Sequence, residues 1–242
     1  MKLIFGCLFL LLSSWFTTSL AQTETTLQAY YFPYQNFFEP VVYKYVNTMN
    51  PNDILYCFME TQIIDKDTII ASTTFDQAFY EVDAGVELIT SKGAELKSYT
   101  IYITGILTPT RPIHKEIFRW KQNKQDKIKW SARYTSPFGE ESIRKMRQYL
   151  GHSSNYTFQR KEYPSIVFKD TYRHSIKAEK SIRTTDFYQE ALYCKGIGLV
   201  EYQREMENKV KLYYKLEKII DKKAWEALKK QPYSIEKPIK KT

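Results

Sequence analysis

The sequence predicts a mainly β protein (α+β class), an antiparallel sheet that curves and is covered by one or two helices. Three observations lead to this prediction. Aromatic residues make up 16% of the chain, with 20 Tyr and 14 Phe against 8 Gly, and aromatic side chains suit half-buried pleated surfaces. Apolar and polar residues alternate with a period of two in many segments between residues 41 and 219. Turn signals rich in Asn, Asp, Gly and Pro separate these segments.

Residues 1–21 have the pattern of a cleavable secretory signal peptide. A positive start at Lys2 is followed by a short apolar run, and small residues stand at positions −3 and −1 before Gln22. The apolar run is too short to span a bilayer with ease. We therefore expect an exported chain, periplasmic or secreted, in which residues 22–242 form a single mainly-β domain without a transmembrane segment.

The first strands are predicted at 41–47 and 54–64, and the segment from Asp65 to Asp67 is predicted to turn a hairpin. Two later strands alternate most cleanly, at 99–107 and 211–219. Their apolar positions share one face of each strand and are candidates either for a ligand groove on the concave face of the sheet or for its filled core. These positions are Tyr99, Ile101, Ile103, Leu212, Tyr214 and Leu216.

Two segments have helical rather than strand spacing. In the first, at about 139–151, Ile143, Met146 and Leu150 fall on one helical face and Gly151 follows as a stop, which predicts a helical insertion. The second is predicted at about 222–230, with Asp221 at its N-cap.

The chain is basic, with a net charge of +9 that becomes about +8 without residues 1–21. Lys and Arg alternate with apolar residues on predicted strands, so the charge describes either a solvated sheet face or a surface for an acidic partner such as an anionic lipid or an acidic glycan. Because the chain is expected to be exported, we predict no nucleic-acid partner.

Cysteine and histidine usage predicts little chemistry. In an oxidising compartment Cys57 and Cys194 could form a disulfide, or they could be buried free thiols that pack as small apolar groups. The three histidines, His114, His152 and His174, lack metal-ligand spacing. No catalytic pattern of nucleophile, acid and base is present, so we predict no metal site, no cofactor and no catalytic residue.

The segment 193–202 reads Tyr-Cys-Lys-Gly-Ile-Gly-Leu-Val-Glu-Tyr. It lacks the third glycine of a dinucleotide-binding fingerprint. Glycine inside a strand instead marks a bulge, or a place where another backbone comes close. The motif residues are Gly196, Ile197, Gly198, Leu199 and Val200.

This motif, with the final strand after it, resembles the closing segment of a family of exported proteins of unknown function from Gram-negative bacteria. Residues 168–177 are similar to the strand-turn-strand that precedes the motif in that family, and the resemblance covers about the last third of the mature chain. It implies a half-barrel similar to the periplasmic lipoprotein-carrier domains, and it implies no catalytic residue.

The sequence therefore favours a noncatalytic envelope protein that binds a hydrophobic ligand such as a lipid, a lipoprotein or another envelope protein on its curved sheet. One alternative is a hydrolase of envelope polymers, which would be favoured if His152 or His174 lay within hydrogen-bond distance of Ser153, Cys194 or a carboxylate. The other is an adhesion or assembly subunit, which would present a flat basic and aromatic surface patch.

Overall fold

The computed structural model describes residues 25–103, 105–179 and 181–230. The predicted signal peptide, residues 1–21, lies outside the described residues. The described chain contains strands, one α-helix and two short 3₁₀ turns. The strands are β1 (Thr25–Thr26), β2 (Val41–Asn47), β3 (Asn50–Ile64), β4 (Asp67–Phe75), β5 (Glu81–Ile89), β6 (Gly93–Ile103), β7 (Ile106–Pro109), β8 (Arg111–Arg119), β9 (Lys121–Gln122), β10 (Lys127–Ser136), β11 (Gly139–Phe158), β12 (Lys161–Ala178), β13 (Ser181–Cys194), β14 (Gly198–Glu205) and β15 (Lys211–Asp221). The helix is α1 (Lys222–Lys229), and the 3₁₀ turns are Gln28–Tyr30 and Tyr34–Asn36.

Twelve strands form a closed antiparallel barrel. Neighbours along the sheet follow the order β5, β4, β3, β2, β15, β14, β13, β12, β11, β10, β8 and β6, and β6 pairs back onto β5. The short strand β7 also pairs with β6, next to β8. The first and last strands of the ring in the sequence, β2 and β15, are neighbours. The predicted mainly β, antiparallel fold is confirmed, but the barrel is fuller than the predicted half-barrel.

The interior of the ring, called the lumen below, has two different ends. We call the end where β2 begins and β15 finishes the lower end, and the opposite end the upper end. At the lower end, the predicted hairpin turn at Asp65 and Lys66 has both residues at positive φ, 51° and 76°. This is the backbone of a type I′ turn, whose twist matches a two-residue hairpin.

Residues 26–40, called the strap, cross the lower end of the lumen. Three backbone hydrogen bonds hold the strap to distant parts of the ring. Leu27 N–H donates to Trp120 O at 2.6 Å, Gly196 N–H to Ala29 O at 2.7 Å, and Thr61 N–H to Phe37 O at 2.8 Å. Apolar strap side chains, including Leu27 and Phe37, are buried in the main core. The strap therefore closes the lower end of the lumen.

The predicted C-terminal helix is present as α1. Asp221 is its N-cap, and its carboxylate accepts a hydrogen bond from Ala224 N–H at 2.7 Å. Trp225 is buried against the rings of Tyr56, Phe75 and Phe79, with centroids 5.2–5.5 Å away. Because these rings lie in a cluster separate from the main core, α1 covers an apolar patch on the outside of the barrel.

The predicted helical insertion at 139–151 is wrong, because this segment is the first part of the 20-residue strand β11. Its helical spacing arises from Ile143, Met146 and Leu150, but Met146 and Leu150 are exposed on the outer face. The inward-facing positions of the same segment include Lys145 and Arg147, and both side chains are buried. Charged residues on the buried face hid the period of two that marks a strand. Gly151 lies at a register shift, at φ +128°, and stops no helix.

Candidate functional site: the barrel lumen

A buried ion cluster crosses the centre of the lumen. The Arg147 guanidinium donates two hydrogen bonds to the Asp170 carboxylate, Nε to Oδ1 at 2.8 Å and Nη2 to Oδ2 at 2.9 Å. Lys145 Nζ lies 2.8 Å from the same Oδ2, and the Asp170 side chain has no exposed surface. Inward positions of the neighbouring strands β11 and β12 supply these groups, because alternate residues of a strand share a face.

Aromatic rings enclose the Arg147 guanidinium. Its carbon lies 5.0 Å from the centroid of Phe168, 5.1 Å from Tyr193 and 6.0 Å from Phe118. Burial alone would raise the pKa of Asp170, but the adjacent Arg147 and Lys145 outweigh it and hold that pKa below its usual value. The cluster therefore carries two cations and one anion in the interior of the protein.

Two further carboxylates lie on β5, and one of them, Glu87, is close enough to the cluster for the charges of Arg147 and Lys145 to act on it. The Tyr31 hydroxyl of the strap donates a hydrogen bond to Glu87, and the Tyr99 hydroxyl donates one to Asp83 at 3.3 Å. Burial raises the pKa of both carboxyl groups, and Arg147 acts on Glu87 in the opposite direction. The strap thus reaches into the lumen with a polar group as well as with apolar ones.

Arg204 is the principal cation of the upper lumen. Its guanidinium donates to Gln189 Oε1 at 2.9 and 3.2 Å and lies 5.2–5.7 Å from the ring centroids of Tyr172, Phe187 and Tyr202. Among the described residues it makes no ion pair within 4 Å. Its charge nevertheless acts on Asp83 of β5 and partly offsets the rise that burial causes in the pKa of that carboxyl. Since β5 is nearly opposite β14 in the ring, the two groups act on each other across the lumen.

Polar and aromatic side chains line the upper lumen around Arg204. Asp83, Tyr99 and Tyr172 are half-buried, and burial raises the pKa of each. This wall is aromatic and charged together, as ligand sites commonly are.

A second polar cluster lies above the ion cluster. The Glu141 carboxylate accepts a hydrogen bond from the Tyr134 hydroxyl at 2.7 Å, and His174 Nε2 lies 2.6 Å from the same oxygen. Burial alone would raise the pKa of Glu141, but hydrogen bonds from Ser136, Tyr134 and His174 lower it. This is the contact between His174 and a carboxylate that would favour a hydrolase.

The six groove or core candidates lie on two walls of the barrel. Tyr214 and Leu216 are buried in the core, and the other four, Tyr99, Ile101, Ile103 and Leu212, are half-buried. Tyr214 stacks on Tyr202, with centroids 5.0 Å apart. Ile101 pairs with the lumen-facing Asp83. The structure therefore gives the candidates from β6 and β15 places on the lumen wall, but the ion cluster was not anticipated.

The glycine motif holds the strap. The Gly196 N–H donates a hydrogen bond to the carbonyl of Ala29 at 2.7 Å. The ring of Phe32 packs on Gly198 so closely that an added Cβ at Gly198 would lie 2.5 Å from a ring carbon. The carbonyl of Ile197 accepts a hydrogen bond from the Tyr43 hydroxyl at 2.7 Å, and Val200 is buried. The motif is a structural contact between the strap and the turn from β13 to β14.

Cys57 and Cys194 are free thiols in the structure. Burial raises the pKa of each to about 12, so both are poor nucleophiles at neutral pH. His114 contacts Ser131, and His152 packs on the ring of Tyr30. Within residues 25–103, 105–179 and 181–230, no group of three or more His, Cys, Asp or Glu side chains could hold a metal ion.

The chain matches no protein-family model, and no curated protein matches its sequence. Two solved structures are similar to it. One, from Parabacteroides distasonis ATCC 8503 and provisionally described as a lipoprotein, shares 13% identity at a TM-score of 0.46 over 75% of this chain and 94% of its own. The other, from Bacteroides fragilis NCTC 9343 and provisionally described as an exported protein with a YmcC-like fold, shares 12% identity at a TM-score of 0.47 over 78% of this chain and 98% of its own.

At this low identity and TM-score, neither structure assigns a family or a site to this chain. In the described part of the chain, no helix has the length and apolar character needed to cross a membrane.

Proposed function

We propose that this is a noncatalytic binding protein whose lumen holds an amphipathic molecule with an anionic group. The observation that carries the proposal is Arg204, which is surrounded by three aromatic rings in the half-buried upper lumen and makes no ion pair among the described residues. A guanidinium beside aromatic faces can bind an anion and pack apolar ligand atoms in the same place.

The two ends of the lumen support this proposal. The strap closes the lower end, whereas no described segment of comparable length crosses the upper end. A ligand would therefore enter from the upper end, where Leu212 is paired with Arg204 on neighbouring strands and Ile101 with Asp83. The sequence favoured a hydrophobic ligand such as a lipid. The charges of the lumen favour a ligand with a polar end, because an acyl chain alone would leave the charge of Arg204 desolvated without a counter-ion.

The hydrolase alternative has one supporting observation, the hydrogen bond between His174 and Glu141. The same cluster also shows why a binding function fits better. Burial and the Glu141 carboxylate raise the pKa of the Tyr134 hydroxyl, so the nearest hydroxyl to His174 is held in its protonated form and is not activated as a nucleophile.

We also propose that the protein is exported, on the signal-like pattern of residues 1–21. Intact-mass measurement of protein isolated from its own host tests this directly. The expected mature N-terminus is Gln22, and a cellular protein that retains Met1–Ala21 would contradict export by this route.

The lumen proposal is tested with the fluorescent probe 8-anilinonaphthalene-1-sulfonate, an aromatic anion, and by native mass spectrometry of protein purified from its own host. We expect saturable binding at one site. Phe187→Ala removes a ring from the site of Arg204 and should weaken binding about three- to tenfold, as expected for one aromatic contact.

The matched control is Phe38→Ala, the same substitution at an exposed ring of the strap, at the opposite end of the lumen from Arg204. It should leave the affinity for the probe unchanged. The proposal fails if the native protein shows no saturable binding and carries no copurified molecule, or if both variants weaken binding equally.

A further inference from the structure

The outer face of β10, β11 and β12 carries six basic side chains and no acidic side chain over four successive rows of paired residues. Each row consists of three residues that are paired across β10, β11 and β12. The first row is Lys127, Gln148 and Lys169, and the fourth row is Arg133, Ser142 and Ser175. The basic residues, called the basic wall below, are Lys127, Lys129, Arg133, Arg144, Lys169 and Arg173. From strand geometry, the wall is about 20 Å long and about 10 Å wide.

Most of these charges have no counter-ion. Within the described chain, Lys127, Lys129, Arg133 and Arg144 make no ion pair with a carboxylate within 4 Å. Arg173 is the exception, since it donates two hydrogen bonds to Asp186 on β13. Like charges on neighbouring strands repel each other, so an anion that lies on this wall relieves repulsion as well as gaining attraction.

A shallow cavity of about 150 Å³ lies on the basic wall. Lys127 and Lys169 stand on either side of it, two strands and therefore about 10 Å apart. Tyr188, whose surface is 51% exposed, offers a flat ring, and Met146 offers an apolar contact. Gln148 and Thr171 also line it and supply an amide and a hydroxyl, and the last lining residue is Arg147, whose guanidinium is bound to Asp170 in the ion cluster.

This set of groups indicates the chemistry of the partner. An exposed aromatic ring packs against the C–H face of a sugar, an amide and a hydroxyl bind sugar hydroxyls, and two ammonium groups bind a carboxylate. The unpaired charges of Lys129, Arg144 and Arg133 continue beyond the cavity, so they can bind further acidic groups along a chain. We propose that the basic wall binds an acidic polysaccharide, with one carboxylated sugar in the cavity.

A membrane of anionic lipids is the other surface that would attract this charge. The wall is the convex side of a barrel, so a flat bilayer touches only part of it, whereas a flexible polymer can follow it. The polymer therefore suits the basic wall better. This surface is separate from the lumen, and either proposal can fail without the other.

The test is binding of polygalacturonate to the full chain at low ionic strength, by isothermal titration calorimetry. The double variant Lys127→Glu/Lys169→Glu should weaken binding about tenfold or more, and added salt should weaken binding to the native protein. Tyr188→Ala should weaken binding of trigalacturonate about three- to tenfold. Phe187→Ala, in the lumen, should have no effect.

The matched control is Lys222→Glu/Lys223→Glu, which makes the same change in net charge on exposed residues of α1, far from the wall in the ring. It should change the affinity less than about twofold. The proposal is overturned if the native protein does not bind polygalacturonate, or if the control loses as much affinity as the wall variant. It is also overturned if vesicles of phosphatidylglycerol and phosphatidylcholine bind and the polymer does not.

Discussion

Asp170 accepts hydrogen bonds from two cations, and none of its surface remains in contact with water. Its carboxylate is the group that makes the burial of Arg147 and Lys145 tolerable, because a charge moved out of water is costly unless it is paired. The three rings around the Arg147 guanidinium cannot replace a carboxylate. They complete its surroundings once the ion pair has formed.

Replacing Asp170 should therefore be strongly destabilising. Asp170→Asn keeps the shape of the side chain but leaves two buried cations unpaired, and we expect it to lower the free energy of unfolding by about 3–5 kcal/mol. Urea denaturation followed by circular dichroism measures the loss. The matched control is Asp186→Asn, which breaks a pair of the same bidentate geometry at the exposed Arg173 and should cost far less. Equal losses of unfolding free energy in the two variants would contradict the prediction that an ion pair matters more for stability when it is buried.

The same carboxylate predicts a dependence on pH. Because Arg147 and Lys145 hold the pKa of Asp170 below its value in the unfolded chain, its stabilising contribution is fully present above the unfolded value of about 4 and is lost as the pH falls through the folded value. The difference in stability between the native protein and Asp170→Asn should thus be largest near neutral pH and shrink in acid. A constant difference from pH 7 down to pH 2 would contradict this pKa shift.

Gly198 and Gly196 permit a second comparison between single residues. Both have positive φ, +98° and +76°, but an added Cβ meets the Phe32 ring at Gly198 and open space at Gly196. Gly196→Ala should cost only the backbone strain, about 1–2 kcal/mol, and Gly198→Ala should cost more because the strap must move. Thermal unfolding measures both, and a larger loss for Gly196→Ala would contradict the packing of Phe32 on this turn.

At the scale of single elements, the attachment of α1 to the barrel depends on its N-cap, Asp221, and on the buried ring of Trp225. Asp221→Ala removes the acceptor for Ala224 N–H and should lower stability by about 0.5–2 kcal/mol, whereas Asp221→Asn should retain most of it. Limited trypsin digestion reports the helix itself, because detachment of α1 exposes the bonds after Lys222 and Lys223. Unchanged cleavage in Asp221→Ala would show that Trp225, and not the cap, holds the helix.

The elements also show how far the sequence could predict the fold. Strand β2 was predicted at its observed bounds, and α1 nearly so, because an apolar period and an Asp cap are local signals. Strand β11 was mistaken for a helix because its buried face carries Lys145 and Arg147, which a hydrophobic pattern counts as exposed. The ion cluster was missed for the same reason. A period-two series at 141, 143, 145, 147 and 149 was present, but its polar members gave no apolar alternation.

For the whole molecule, closure of the barrel was the feature least open to prediction. Every other pairing in the ring joins ring strands that are consecutive in the sequence, so closure depends on the pairing of β2 with β15, which joins residues more than 160 positions apart. The mixed aromatic and charged wall of the upper lumen follows from that closure, since Arg204 and Asp83 act on each other only when β14 and β5 are part of one ring. A local pattern contains no information about such a distance.

Closure also predicts how the backbone exchanges hydrogen with solvent. Since no strand of the twelve is an edge, amides of β2 and β15 should be protected as well as those of β12 and β13 in the middle of the chain. Hydrogen–deuterium exchange measured by mass spectrometry tests this. Rapid exchange confined to β2 and β15 would show that the ring opens there in solution.

The pairing of β2 with β15 has a consequence for biosynthesis. While the nascent chain emerges, the edge of β2 has no neighbour until Asp221 has been made, which is roughly ten to thirty seconds of translation at ~5–20 residues per second. An unpaired strand edge is a template for association with other chains. The incomplete chain therefore remains open to association through the edge of β2 until β15 has been made.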